Sequence, residues 1–408
     1  MLGYPSDAEY ARVDRMGSSV AEVEEVRIEL RSRARPYAQR KLQALEDFAG
    51  QSTGDNVVPP WDIAYPSEKL RQATYHFDQE ELRPYFPLPK VLSGLFEIVN
   101  RLFGITVTKS DADVWHPDVA FYEIREEGGA IRGHFYLDLY AREHKRGGAW
   151  MAECVGRCHR PDNVVQAPVA FLTCNFTQPL DGKPALLTHD DVITLFHEFG
   201  HGLHHLLSLV EEPSVTGISG VPWDAVELPS QFLENWCWER GALDLVTSHV
   251  DTGEPLPDKL LQKLRGARNF QSGMQMVRQL EFALFDFRLH ASTAQISPDA
   301  LLRVLDEVRQ QVAVVTPPIF DRFPHAFSHI FAGGYAAGYY GYLWSEVLSA
   351  DAYDRFEQEG VFNATAGRAF MQHVLETGGV EEPLDVFKAF RGREPSINAF
   401  LRHSGLNT

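Results

Sequence analysis

Residues 194–208, TLFHEFGHGLHHLLS, gather four histidines (His197, His201, His204 and His205) within nine positions. A helix that only packs has no reason to collect imidazoles, so the segment asks for a chemical explanation. Just upstream, Thr188 and Asp191 have capping-box spacing: the hydroxyl can accept from a free backbone N–H, and the carboxylate suits a helix's positive end. A helix starting there puts Val192, Leu195, Phe196, Phe199, Leu203, Leu206 and Leu207 on one broad face, and His197, His201 and His204 in a narrow polar stripe. The pattern predicts a largely buried helix over 188–208 with one wet seam.

Two pairs have the four-residue spacing that lets both rings grip one ion: His197 with His201, and His201 with His205. Their neighbours separate them. Glu198 follows His197 and completes H-E-x-x-H, in which the glutamate can reach a metal-bound water as general base; Gly202 follows His201 and can do nothing of the kind. His204 and His205 are expected to support the site from outside or to face solvent. A catalytic zinc takes a third protein ligand and keeps one position for water. Glu227, in GVPWDAVELPSQFLENWCWE (220–239), precedes Pro229, a residue suited to a helix's first turn. In isolation that stretch reads as an acidic helix start; beside H-E-x-x-H it supplies the third ligand. Glu234 or Gln231, at helical spacing from it, would orient a ligating imidazole through its other nitrogen.

A second cluster, FPHAFSHIFAGGYAAGYYGYLWSEV (323–347), combines two histidines, paired glycines and several tyrosines. Tyr335, Tyr339 and Tyr342 could bring phenols to a common point and stabilise an oxyanion. The same pattern also describes a tightly packed helix with aromatic spacers, and patterning leaves the two even.

Outward from these segments the chain is mostly helical. Residues 17–48 read as one or two amphipathic helices, and helical periodicity returns after Pro59 and Pro60. Near residue 118 the period changes to alternation on either side of Gly128 and Gly129, a hairpin signal, with APVAFLTCNFT (167–177) as a third strand. Helices then follow at about 188–208, 229–245, 258–291 and 298–314, and beyond 335. The predicted fold is mainly α, with one small antiparallel sheet: a helical packing region over 1–110, the sheet over 111–180 and a helical catalytic region over 181–408, expected to form one continuous catalytic unit.

A net charge of −18 without any dense basic stripe argues against nucleic acid. The sequence has no signal-peptide-like start and no apolar run of 18 residues, so a cytoplasmic location without membrane contact is expected. Cys154, Cys158, Cys174 and Cys237 are too sparse for a disulfide scaffold; Cys154, Cys158 and His159 lack zinc-ribbon spacing, so free thiols are expected.

Together, LFHEFGHGLHH, DAVELPSQFLENWCWE, RFPHAFSHIFAGGYAAGYYGYLW and the closing FRGREP resemble the thimet oligopeptidase family of zinc metallopeptidases. The likeness extends upstream through PWDIAYPSEKLR, FYLDLYAREHKRGGAWM and PVAFLTCNF, nearly the whole chain. It implies one Zn²⁺ held by His197, His201 and Glu227, with Glu198 as general base. His329, Tyr335 and Tyr342 match family residues that contact substrate and stabilise the transition state, Tyr339 less closely. It also implies a deep channel admitting short peptides. Full-length relatives carry a further helical region before the point where this chain starts, so channel closure and length selectivity are expected to differ, with a monomer that can self-associate through an uncovered groove. The expected activity is internal cleavage of short peptides. The rivals are a non-catalytic peptide-binding remnant and a zinc hydrolase of a non-peptide amide or ester.

Overall fold

A computed structural model describes residues 3–406 apart from 12, 14, 17–19, 55–56, 77, 181 and 294–295, and gives only the backbone at 20–27 and 52–53. The predicted N-terminal segment is one helix, Val20–Thr53, which continues through Pro36; its expected first residues, 17–19, lie outside the described ones. Helix Leu88–Phe103 is the plainest case of pattern becoming packing. Leu88, Val91, Leu95, Ile98, Val99 and Leu102 recur at three- and four-residue steps and are all buried, and the chain turns out of the helix at Gly104 in the left-handed region.

That turn delivers the chain to the sheet. Its strands are β1 (Ile105–Ser110), β2 (Ala120–Glu126), β3 (Ile131–Tyr140) and β4 (Trp150–Val155), then β5 (Cys158–His159) and β6 (Val165–Gln166), which form a separate ribbon, and β7 (Val169–Phe176). The main sheet has the order β1-β2-β3-β7-β4. The predicted hairpin joins β2 to β3, with Gly129 at φ 84° where an L side chain would be strained. The sheet is not wholly antiparallel: β3 pairs parallel with β7, while β4 pairs antiparallel with β7 and forms an edge. Alternation in a sequence shows which residues face the core, but neither the partner nor the direction of a strand.

Helix His189–Leu207 begins where expected. Thr188 Oγ1 accepts from the Asp191 N–H at 3.0 Å, and Asp191 Oδ2 accepts from the Thr188 N–H at 2.9 Å. Its apolar face lies on the sheet, with Phe199 edge-on to Phe135 at 5.6 Å between ring centroids. Two predicted long helices are broken. The 229–245 stretch divides into Leu228–Glu234, a single tight turn Asn235–Trp238, and Arg240–Val246. The 258–291 stretch divides into Asp258–Ala267 and Ser272–His290, at Gln271 with φ 55°. Pro298–Val312 follows the pattern; the tyrosine segment begins with two single-turn helices, Phe323–Ala326 and Ser328–Phe331, and then runs in turns until helix Gly341–Glu359 starts.

One buried cluster runs from Met16 through the sheet and the histidine helix to Phe390, joining all three predicted regions. In FRGREP, Arg391 and Arg393 both bond the buried Asp351, at 3.0 and 2.7 Å, which fastens the C-terminal segment to helix Gly341–Glu359. The fold is mainly α with small sheets. Among the described residues, no helix is long and apolar enough to cross a membrane.

Candidate active site

His197 and His201 stand on successive turns of one helix face, their rings 4.9 Å apart and nearly perpendicular at 82°. Glu227 reaches them from the start of helix Leu228–Glu234. Its Oε2 lies 3.2 Å from His197 Nε2 and 3.1 Å from His201 Nε2. The two helices can cross this closely only because position 200 has no side chain: a Cβ on Gly200 would sit 2.5 Å from Ser230 Cα and 2.6 Å from the Pro229 carbonyl oxygen.

Neighbouring groups fix each member of the trio. Ser230 Oγ donates to Glu227 Oε2 at 3.2 Å, and the Tyr335 phenol donates to Oε1 at 2.9 Å. His197 Nδ1 donates to Glu234 Oε1 at 2.7 Å. An ionised carboxylate only accepts, so Nδ1 carries a proton, and Nε2, which faces Glu227 and His201, is the nitrogen whose proton a bound metal would displace. Gln231 takes a different part, donating from Nε2 to the Tyr342 carbonyl at 3.2 Å. Burial lowers the basicity of His197, but its bonds to Glu227 and Glu234 outweigh that and hold its pKa well above the usual imidazole value. Burial pushes Glu227 up, yet the charge of His201 and bonds from both rings hold it well below the usual carboxylate range.

Two imidazole nitrogens and a carboxylate oxygen suit a divalent metal. Ligands about 2.0–2.2 Å from a tetrahedral zinc stand roughly 3.3–3.5 Å apart. The observed 3.1 and 3.2 Å are therefore close to what such an ion needs. Among the described residues this is the one group of His, Cys, Asp or Glu with three convergent ligand atoms, all within 4.8 Å of one another. Cys154, Cys158 and His159 form no such group, and all four cysteines are free.

Glu198 is buried beside the trio, and its Oε2 has no hydrogen-bond partner among the described residues. Burial raises its pKa, partly opposed by the charges of His197 and His201. It lines a cavity of about 860 Å³ between edge strand β4, which contributes Trp150 and Met151, and the tyrosine segment. A second cavity, about 1280 Å³, shares His329 and Tyr342 with the first and passes Glu234 and Arg268.

The tyrosine segment does converge on the trio. Tyr342 stacks on Tyr335 at 5.0 Å, and Trp223 packs edge-on against Tyr335 at 4.8 Å. Burial first, then the charge of Glu227, raises the pKa of both phenols, so each keeps its proton at neutral pH. His329 is exposed in the cleft wall, 6.3 Å from the Tyr335 ring. Tyr339 turns its hydroxyl to Gln279 Oε1 at 3.1 Å, away from Glu227, and burial pushes its pKa up to about 12.

His204 and His205 do not face solvent: both are buried. His205 Nε2 donates to the Val155 carbonyl at 3.1 Å and ties the histidine helix to edge strand β4. Burial, with the charges of His201 and His205, pushes His204 down to about 3, so it stays neutral. Sequence reading missed Ser230 and Trp223. Ser230 had a weak signal, three residues after Glu227 on the same helix; Trp223 had none.

A family model described as peptidase family M3 matches residues 1–406. Oligopeptidase A of Salmonella typhimurium is 55% identical over 407 residues, covering 100% of this chain and 60% of that protein. Dipeptidyl carboxypeptidase of Escherichia coli is 36% identical over 413 residues, with the same shares. The chain thus spans about 60% of the length of these curated relatives. A solved structure described as an oligoendopeptidase F superposes with a TM-score of 0.57 at 16% identity, over 99% of this chain and 60% of that one, a likeness of fold.

Proposed function

Because this chain belongs to peptidase family M3, we propose that it is a zinc-dependent oligopeptidase that hydrolyses internal bonds of short peptides in the cytoplasm. The family implies a divalent metal; His197, His201 and Glu227 would hold it as zinc, with Glu234 fixing the His197 tautomer and Tyr335 and Ser230 fixing Glu227. Bound there, zinc would supply Lewis-acid polarisation of the attacking water and of the scissile carbonyl. Glu198 takes the proton of that water and passes it to the leaving amine. Tyr342 donates to the oxyanion, with Tyr335 and His329 alongside. Edge strand β4 offers unpaired backbone groups along which an extended peptide lies, giving affinity without demanding one sequence. Residues 1–408 are read as one catalytic unit on their shared core.

The observation that carries this reading is the unpartnered Glu198 oxygen in the cleft wall, next in sequence to one of three convergent ligands. The test is incubation of the zinc-loaded chain and its Glu198→Gln form with a mixed pool of short peptides, with products read by mass. Cleavage at internal bonds by the parent alone supports the reading. No cleavage by either protein, with zinc bound, points to the peptide-binding remnant or to a non-peptide amide or ester.

A further inference from the structure

Tyr335 stands outside regular secondary structure and Tyr342 in the first turn of helix Gly341–Glu359, and backbone hydrogen bonds show how the turns between them are held. The Gly338 N–H reaches the Tyr335 carbonyl at 2.8 Å, the Gly341 N–H reaches that of Gly338 at 2.9 Å, and the Tyr335 N–H reaches that of His329 at 3.1 Å. Two other N–H groups leave the segment altogether. Ala337 donates to Asp286 Oδ1 at 2.8 Å, and Tyr339 donates to Asp286 Oδ2 at 2.9 Å. Asp286 lies on helix Ser272–His290 and is fully buried; His290 Nδ1 approaches the same Oδ1 at 2.9 Å. Ala337 has φ 53°, a left-handed conformation that alanine disfavours and that its neighbours must impose.

A second buried carboxylate, Asp224, accepts from the Tyr340 phenol at 2.7 Å and from the Met16 N–H. It bonds a side chain of the segment; Asp286 bonds the backbone between Tyr335 and Tyr342. The carboxylate supplies two acceptor oxygens to two converging N–H groups, a charge-assisted arrangement that fixes both position and orientation.

We propose that Asp286 is a positioning residue: by accepting the Ala337 and Tyr339 N–H groups it sets where the Tyr335 and Tyr342 phenols stand relative to Glu227. The inference rests on the peptidase reading, in which those phenols face the reacting carbonyl. It goes beyond that reading because Asp286 touches neither ligand nor substrate. A carboxylate that merely satisfies a buried helix would affect folding and zinc content along with rate, whereas a positioning group affects kcat selectively.

The test is Asp286→Asn, which keeps the volume but replaces one acceptor oxygen with a donor. One of the two N–H groups then faces an N–H. Displacing a catalytic group by about 1 Å costs on the order of 100-fold in rate. The expected result is a 10- to 100-fold fall in kcat, by that same rule, with KM within about threefold and zinc content unchanged. Hydrogen exchange at 335–342 should speed up, while helix His189–Leu207 stays as protected as in the parent. Exchange in the parent alone keeps the inference testable should the variant not fold: the Ala337 and Tyr339 amides should exchange at least about 100-fold slower than free amides despite lying outside a helix. Rapid exchange of those amides in the parent overturns the proposal. So does a variant with parental kcat, or one whose kcat falls only in step with its folded or zinc-bound fraction. Failure of the peptidase reading shows separately, as a zinc-loaded parent that cleaves no peptide whatever its exchange rates.

Discussion

Replacing Gly200 with alanine should damage the metal site without touching a ligand. In an ordinary helix interior the change is favourable by about 1 kcal/mol. Here the new Cβ would lie 2.5 Å from Ser230 Cα and 2.6 Å from the Pro229 oxygen, both backbone atoms with no rotamer to yield. Relief to ordinary contact requires the two helices to separate by roughly 1 Å, and overpacking of this kind costs about 1–3 kcal/mol. Glu227 moves with Ser230, to which it is bonded, so its Oε2 withdraws from the 3.1 and 3.2 Å it keeps from the two imidazoles. Metal–ligand distances tolerate only about 0.2 Å. Zinc affinity should therefore fall at least about 10- to 100-fold, the range seen when groups supporting a ligand are lost. Chelator-competition titration of the parent and Gly200→Ala, with Tm recorded on the zinc-free proteins, measures both effects. Parental zinc affinity in a folded Gly200→Ala protein would refute the claim that this helix crossing sets the site.

Removing the carboxylate that orients His197, by Glu234→Ala, should weaken zinc about 10- to 100-fold in the same titration; parental affinity would contradict this. In the zinc-free chain burial raises the Glu198 pKa against the charges of His197 and His201, so its carboxyl should titrate above the ordinary carboxylate range by carbon-13 NMR; a midpoint at or below about 4.3 would contradict this. Asp138 offers a stability test. Burial opposes its charge, but bonds from Arg142, Lys145 and Trp115 outweigh burial and lower its pKa from 3.8 to about 2. Its folded pKa is depressed, so the stabilisation, about 2 kcal/mol, is present above pH 3.8 and is lost as pH falls toward 2. Urea unfolding should find Asp138→Asn weaker by about that amount at pH 7, with the gap closing in acid; a gap that persists at pH 2 would contradict the assignment.

The histidine helix was legible because its signals are local: a capping box, an apolar face and a polar stripe lie within twenty residues and reinforce one another. Glu227 and Glu234 were legible as residues at helical spacing beside a proline. The parallel pairing of β3 with β7 was not, because the connection leaves through β4 and the β5–β6 ribbon before returning, and alternation carries no record of that path. The break at Gln271 was equally hidden, since glutamine gives no sign of a left-handed φ. Asp286 and Ser230 read as ordinary polar positions of helices. What distinguishes them is the partner that tertiary packing brings, an N–H from the tyrosine segment and the carboxylate of Glu227. The tyrosine segment reads equally as a tightly packed helix and as phenols brought to a common point, and its turns depend on contacts from helix Ser272–His290 that no local pattern encodes.

X-ray absorption at the zinc edge, on the zinc-loaded chain and on Glu227→Ala, tests the proposed metal site most directly. One zinc per chain in a shell of nitrogen and oxygen at about 2.0–2.1 Å, with imidazole scattering from two rings and a shell altered by the substitution, is the predicted result. Sulfur at about 2.3 Å, which only thiolates such as Cys154 and Cys158 would supply, or a shell indifferent to loss of Glu227, would contradict it.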